Sequence, residues 1–483
     1  MNHDEHQFVT PAMLFLRDGL LPYRDYPFFH TPNLVFVYTA LFSVTSHLLL
    51  AARCFNAGCA ALLLTVIFAV AAWEFRHLGP RRWMIATGFF LVLALDRGFG
   101  FTAGRAWNHD LAVLAAVFAY LTFLSAAEGK RPFLWLAICG LLVGLAIGTR
   151  LSFAPLVAPF LLATLFLRIP GRNRFPGLSS YCAGLIVGLL PTLFLFQQAP
   201  SRFFFDNFTY NETVNWLYRQ NTVPHEITFL NKLSFPFQEL LKSPADLALV
   251  IGFIYFAFRP WVRRGWRRFG EDRAVTMLLL ILPFLFLGSW APNPSYRQYY
   301  YPFVPFLLLG NIYGMARERK FRVGRLMAAV IGVSLVLSIC ALPTYKVTLH
   351  PSKWPVFAAH DEGVEIRKFV PKGKILTLAP IFPLEGSLET YPEFASGPFA
   401  WRTAGCMTKS DRIRFGFVGP AELAALLEKE PPAGILTGTE HREFEQPLKA
   451  YALTHHYAPC KSQKHVALWL PAVLPEPGKE QPR

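Results

Sequence analysis

An acidic pair followed by histidine, Asp4-Glu5-His6, stands almost at the start of the chain. A carboxylate in a polar setting is a group that takes the proton of an attacking hydroxyl or amine, although an acidic pair near a terminus also reads as a solvated end. A Pro- and aromatic-rich stretch follows, with Gly19-Leu20-Leu21-Pro22-Tyr23-Arg24-Asp25-Tyr26 and then His30-Thr31-Pro32. A further carboxylate closes Gly104-Arg105-Ala106-Trp107-Asn108-His109-Asp110 at the head of an apolar run. Asp110 is either a cap for free backbone N–H groups or, as a charge at membrane depth, a functional residue. Arg150 lies in the turn Gly148-Thr149-Arg150-Leu151-Ser152, and Arg297 in Pro292-Asn293-Pro294-Ser295-Tyr296-Arg297-Gln298-Tyr299-Tyr300-Tyr301-Pro302. Tyr and Arg there also suit interfacial anchoring, but a guanidinium pairs bidentately with phosphate. Carboxylates together with arginines fit departure of a phosphate assisted by a base. His109-Asp110 and Asp4-Glu5-His6 could share a divalent cation, but no His or Cys cluster has ligand spacing, so no metal is assigned. The chain carries no Walker loop, GxSxG elbow or dinucleotide fingerprint, so the donor is expected on a lipid rather than as a cytosolic nucleotide.

The elements that must position these residues are membrane helices. Of the residues, 53% are hydrophobic, 15% aromatic and 16% charged, against roughly 25% charged in a soluble domain. The formal net charge of +16 sits in short Lys and Arg clusters between apolar runs, a pattern of membrane orientation rather than of nucleic-acid binding. Spans are predicted near 54–74, 83–97, 110–127, 133–149, 152–168, 179–197, 245–260, 275–290, 301–316 and 324–343, giving a bundle of about ten to eleven helices. Thr39, Ser43, Thr45, Ser46 and His47 interrupt residues 33–50, which read as an interfacial or re-entrant helix. Every second loop is basic: Arg76, Arg81 and Arg82; Lys130 and Arg131; Arg168, Arg172 and Arg174; Arg259 through Arg273; Arg317 through Arg325. Basic loops stay cytoplasmic, so residues 1–53, 97–109, 198–244 and everything after Pro343 are expected outside.

The predicted organisation is an external segment at 1–53, a transmembrane bundle at 54–343 with an external loop at 198–244, a small α/β extracytoplasmic domain at 344–471, and a disordered Pro-, Glu- and Lys-rich tail at 472–483. In the α/β domain, 374–378 and 434–437 read as strands, and 421–430 as a helix. Cys54, Cys59, Cys139, Cys182 and Cys340 lie in apolar runs and read as packing residues, whereas Cys406 and Cys460 could pair if their domain is exported. Residues 1–18 contain no continuous apolar run, so insertion is expected to use internal helices.

In order and sidedness, Asp4-Glu5, Gly19 to Asp25, Pro32, the acidic Asp110 at the head of a span, and Gln298 to Pro305 resemble the motifs of the C-type glycosyltransferases that use polyprenyl-phosphate sugars, such as protein O-mannosyltransferases and the lipid A aminoarabinose transferase. The likeness spans 1 to about 343. It implies inverting transfer from a polyprenyl-phosphate-linked sugar to a lipid, glycan or protein acceptor, at the outer face of a bacterial inner membrane, with no nucleic-acid partner. It further implies Asp4 as general base, with Glu5 and Asp110 positioning acceptor or sugar. Arg105, Arg150 and Arg297, with Tyr299, are the implied phosphate-binding set, and Tyr23, Asp25, His30, His109 and Gln298 the substrate-positioning residues. Members of that family have a transmembrane helix before the Asp-Glu loop, so the chain is expected to start one helix short. A transporter would show two similar halves with interrupted helices. A non-catalytic scaffold would leave Asp4, Asp110 and the arginines apart.

Overall fold

A computed structural model describes residues 3–128, 131–166, 174–264, 272–317, 332, 336, 354–463 and 466–472. A one-turn helix, His3–Glu5, leads into α1 (His6–Asp18), followed by α2 (Asn33–Phe42), α3 (Leu48–Glu74), α4 (Arg81–Ala94) and α5 (Arg97–Thr102). The central bundle continues with α6 (Asp110–Glu128), α7 (Pro132–Thr149), α8 (Val157–Phe166) and α9 (Arg174–Gln198). Four short helices then cover the expected external loop: α10 (Pro200–Phe204), α11 (Tyr210–Glu212), α12 (Val214–Thr222) and α13 (Phe229–Leu241). The bundle closes with α14 (Pro244–Arg264), α15 (Arg273–Trp290) and α16 (Phe303–Arg317).

Helices occupy all the predicted spans that fall on described residues, but their lengths differ. Five are long and apolar enough to cross a membrane: α3, α6, α7, residues Phe175–Gln198 of α9, and α15; α13 and α14, bent by 96° at their junction, make a sixth if they are one span. The predicted spans at 83–97 and 301–316 become helices of 14 and 15 residues. The one at 152–168 opens as a 3-10 turn, Leu151–Leu156, because Pro155 has no N–H to give an α-helix. The predicted span at 324–343 and much of the basic clusters lie outside the described residues, as does nearly all of the tail at 472–483. Residues 33–50 are no single helix: α2 ends at Phe42, and Leu48 already belongs to α3.

The tightest contact in the bundle is between α7 and α9. A Cβ at Gly140 would lie 2.0 Å from the Tyr181 carbonyl oxygen, one at Gly184 1.9 Å from that of Ala137, and one at Gly188 2.3 Å from that of Leu141. Only hydrogen at these positions lets the two backbones meet, the usual device where helices pack in lipid. The N-terminal end of α2 enters this crossing: Asn33 Nδ2 donates to the Gly188 carbonyl at 2.9 Å, and Thr31 Oγ1 to that of Ile147 at 2.8 Å.

The C-terminal region holds α17 (Pro355–Phe369), α18 (Ile381–Glu385), α19 (Pro398–Thr403), α20 (Lys409–Phe415), α21 (Leu423–Lys429) and α22 (Arg442–Thr454) around a five-stranded sheet. Its strands are β1 (Lys374–Leu376), β2 (Glu389–Thr390), β3 (Gly434–Thr437), β4 (Tyr457–Gln463) and β5 (Val466–Pro471), in the order β2-β1-β3-β5-β4. The contacts of β1 with β2 and β3 are parallel; those of β5 with β3 and β4 are antiparallel. Both predicted strands and the predicted helix are present. The region does not hang free of the bundle. Val356, Ala359, Ile381 and Leu384 share an apolar core with Phe8, Val9, Val35 and Leu49, Phe205 stacks on Phe415 at 3.7 Å, and the Leu49 N–H donates to Glu385 at 2.6 Å. Cys406 and Cys460 both carry free thiols, so the pairing envisaged for them is not made, and Cys54 is exposed rather than packed.

Gly184→Ala should push α7 from α9 and cost about 1–3 kcal/mol. Gly58→Ala, whose Cβ meets nothing within 4 Å, should be neutral or stabilising by up to ~1 kcal/mol. Thermal unfolding in detergent reads both.

Candidate active site

Glu5 is completely buried. Its carboxylate receives Arg53 Nε at 2.8 Å and Nη2 at 2.7 Å, and the Ala106 N–H at 3.0 Å. One side chain thereby ties the N-terminal turn to α3 and to the loop between α5 and α6. The same loop is held twice more. Asn56 Nδ2 donates to the Arg105 carbonyl at 2.7 Å, and Asp110 accepts the Gly104 N–H at 2.9 Å, with Gly104 at a φ of +73° that a side chain would strain. Asp110 therefore does not cap its own helix; it closes the turn that presents Arg105, and its second carboxylate oxygen is buried without a hydrogen-bond partner.

Asp4 stands one residue before this lock, with 33% of its side chain exposed and His3 Nε2 at 3.8 Å. Burial of the carboxyl raises its pKa above the ordinary range; His3, Arg402 and Arg105 pull it back, while Glu5 adds to the rise. Arg105 lies over the rings of Phe101 at 4.5 Å and Trp107 at 4.9 Å. Arg150 follows the C-terminal end of α7 and lies over the Tyr299 ring at 5.0 Å. Its Nη1 donates to Asn108 Oδ1 at 3.1 Å and meets His109 Nε2 at 2.9 Å, contacts that leave His109 an acceptor at that nitrogen. Arg150 feels the charge of Asp4, and Tyr299 feels both, its hydroxyl pushed up to about 12 mainly by burial. His30, stacked on Phe8 at 4.8 Å, is held down to about 3 by burial and then by Arg150. Asp4, Arg105, Arg150, Tyr299, His30 and His109 thus surround one region, with Asp110 behind it.

Other expected site residues are engaged elsewhere. Arg297 is paired with Glu239 of α13 at 3.2 Å and touches the region only through Phe101, at 5.9 Å. Gln298 lies beside it in the one-turn helix Arg297–Tyr299. Tyr23 is buried and donates its hydroxyl to the His30 carbonyl; Asp25 accepts the Leu21 N–H at 2.6 Å and pairs with Arg24 at 2.7 Å. Both belong to the tight turn Leu21 to Tyr26, which Arg202 also holds by donating to the Arg24 carbonyl at 2.8 Å. Glu5 has both carboxylate oxygens occupied by Arg53 and the Ala106 N–H.

Several residues around Asp4 carry no sequence signal. Arg402 of α19, with Glu440 and His441 just before α22, comes from the C-terminal region, and Arg219 from α12; Arg402, His441 and Arg219 act on His3, Asp4 or Tyr296, and Glu440 feels Arg402 and Asp4. Glu440 is raised to about 7 by burial and then by Glu445. Arg53 did carry a signal, being a charge inside the apolar helix α3, but a span read from residue 54 places it outside. Among the described residues no three His, Cys, Asp or Glu side chains converge to hold a metal ion.

The chain is similar in structure to ArnT from Cupriavidus metallidurans solved bound to undecaprenyl phosphate, with a TM-score of 0.55, 13% identity and coverage of 97% of this chain and 94% of that one. The apo state of the same protein matches with the same score and identity over 96% and 93%. The Archaeoglobus fulgidus oligosaccharyltransferase in complex with zinc and sulfate matches with a TM-score of 0.51 and 14% identity over 97% of this chain and 69% of that one. No family model and no curated protein sequence matches the chain.

Glu5→Ala should strand the Arg53 guanidinium in a mostly buried position and cost about 3–5 kcal/mol. Adding Arg53→Met should recover most of that loss. Melting of the single and double variants in detergent tests the ordering.

Proposed function

We propose that this chain, which has the fold of the C-type glycosyltransferases, transfers a sugar from a polyprenyl-phosphate donor to an acceptor hydroxyl or amine with inversion. The observation that carries the reading is a division of labour among the charges. Arg53 and Arg297 are committed to Glu5 and Glu239, whereas among the described residues no carboxylate pairs with Arg105 or Arg150, which lie against aromatic faces beside Asp4. A general base next to guanidinium groups available to phosphate is the arrangement that such a transfer needs. A scaffold has no use for it.

In the proposed step the acceptor oxygen or nitrogen bonds to the anomeric carbon as its proton passes to the Asp4 carboxylate. The bond from that carbon to the phosphate oxygen breaks on the opposite face, and the electron pair leaves with the polyprenyl phosphate. Arg105 and Arg150, with the Tyr299 hydroxyl, meet the charge that builds on the departing oxygen. Asp110 supports the loop that carries Arg105, Glu5 holds the turn that carries Asp4, and His30 and His109 line the donor side. ArnT bound to undecaprenyl phosphate supports the class of donor.

The site belongs on the extracytoplasmic side. Arg53 is near the start of α3, whereas Arg76, Arg81 and Arg82 follow its end, about 30 Å further along the helix axis at 1.5 Å per residue. Basic turns remain cytoplasmic, which gives an inner-membrane enzyme with Asp4 and the C-terminal region facing the periplasm or exterior, where that region selects the acceptor.

Purified protein supplied with a panel of labelled polyprenyl-phosphate sugars should transfer one of them. Asp4→Asn should lower turnover by about 10²- to 10⁴-fold; wild-type turnover in that variant would remove the base. Arg105→Gln and Arg150→Gln should each lower kcat/KM for the donor by roughly 10- to 100-fold, the loss of one charged hydrogen bond.

A further inference from the structure

We propose that Arg402, contributed by the C-terminal region, is a positioning residue for Asp4: it supplies the permanent positive charge against which the base is held, so that the C-terminal α/β domain completes the active site. This inference rests on the reading of Asp4 as base. The geometry forms a chain of contacts from one region to the other. Arg402 lies over the Phe399 ring at 4.4 Å and the Tyr218 ring at 5.4 Å. Phe399 meets the His3 ring edge-on at 5.5 Å, and His3 faces Asp4 at 3.8 Å. One residue before α19, a Cβ on Gly397 would lie 3.3 Å from the His6 ring and from its Cβ, so the start of α19 sits directly on the turn that bears Asp4. Gly397 also takes a φ of +63°, which lets the chain turn into α19 at that close contact.

The charges agree with the contacts. Among the described residues Arg402 has no ion-pair partner, and its Nε is buried without a hydrogen-bond acceptor. The groups acting on Asp4 are His3 and Glu5 from its own turn, Arg105 from the loop before α6, and Arg402 from α19; Arg402 acts more strongly than Arg105. The groups that feel Asp4 in return are Arg150, Tyr296 and Tyr299 of the bundle, and Glu440 of the C-terminal region. Arg219 and His441 reach the cluster through His3. His3 is the stronger partner, but burial holds its pKa down and it is charged only when protonated. An arginine is charged at every working pH. The sign follows: without Arg402 the Asp4 carboxyl binds its proton more tightly, and activity that needs the free carboxylate begins at higher pH.

The test is the pH profile of kcat/KM for sugar transfer by the full-length protein, with the fold of each variant checked by melting. Arg402→Met keeps the apolar stem against Phe399 and Tyr218 while removing the charge, and Arg402→Gln does so with a polar end. Either should move the acid limb upward by about one pH unit while leaving the plateau at alkaline pH within a few-fold of wild type, and Arg402→Lys should return most of the shift. A folded Met or Gln variant whose acid limb coincides with that of the wild type overturns the inference. Uniform loss of rate at all pH values does so too, because that is the signature of a structural role. The underlying reading fails separately: if Asp4→Asn turns over normally, the base is wrong, whereas an inert Asp4→Asn beside an unshifted Arg402→Met rejects Arg402 alone.

Discussion

The arrangement depends on one buried carboxylate. Glu5 is fully buried, takes two hydrogen bonds from Arg53 and one from the Ala106 N–H, and so joins three segments that share no local structure. Burying such a charge is costly unless its partners are complete, and here Oε1 accepts two hydrogen bonds and Oε2 one. The consequence is positional. Asp4 is one residue away along a single turn, and Arg105 is one residue before the amide that Glu5 holds, so one ion pair fixes the backbone next to both Asp4 and Arg105.

The same economy of charge runs through the site. The partly buried arginines here fall into two kinds: those neutralised by a carboxylate, which hold elements together, and those laid on aromatic faces without a carboxylate partner among the described residues. Arg53 is of the first kind; Arg105, Arg150 and Arg402 are of the second. An aromatic face steadies a guanidinium without neutralising it, so the positive charge stays available to an incoming phosphate or to Asp4. The positive groups around Asp4 work against the rise that burial causes in its pKa.

Much of the membrane architecture was legible in the sequence, because lipid demands long apolar helices with charges confined to their ends. Helices fall on the expected spans within the described residues, but five to six of them, rather than about ten to eleven, are long and apolar enough to cross a membrane; the α/β character of the C-terminal region, two of its strands and the helix between them follow from hydrophobic period and run length. Helix ends were less legible: Arg53 lies inside α3, where packing against Glu5 rather than hydropathy decides the boundary. The two-residue β2 is too short to carry a periodicity, β4 and β5 did not stand out although they are the longest strands of the sheet, and the expected external loop proved helical.

For the site, the sequence by itself determined which residue types stand near the ends of helices: Asp4-Glu5, Arg105, His109-Asp110, Arg150 and Tyr299. The proposed base-and-phosphate chemistry starts from those types at those positions. Only the tertiary structure decided which of them meet. It paired Glu5 with Arg53, Asp25 with Arg24 and Arg297 with Glu239, laid Arg105 and Arg150 on aromatic rings, and brought Arg402 near His3 across almost 400 positions of chain. The physical reason is that a carboxylate or guanidinium looks the same in sequence whether its partner is a structural counter-ion or a substrate. Its role is set by which partner reaches it first, and that depends on packing between segments remote in the chain.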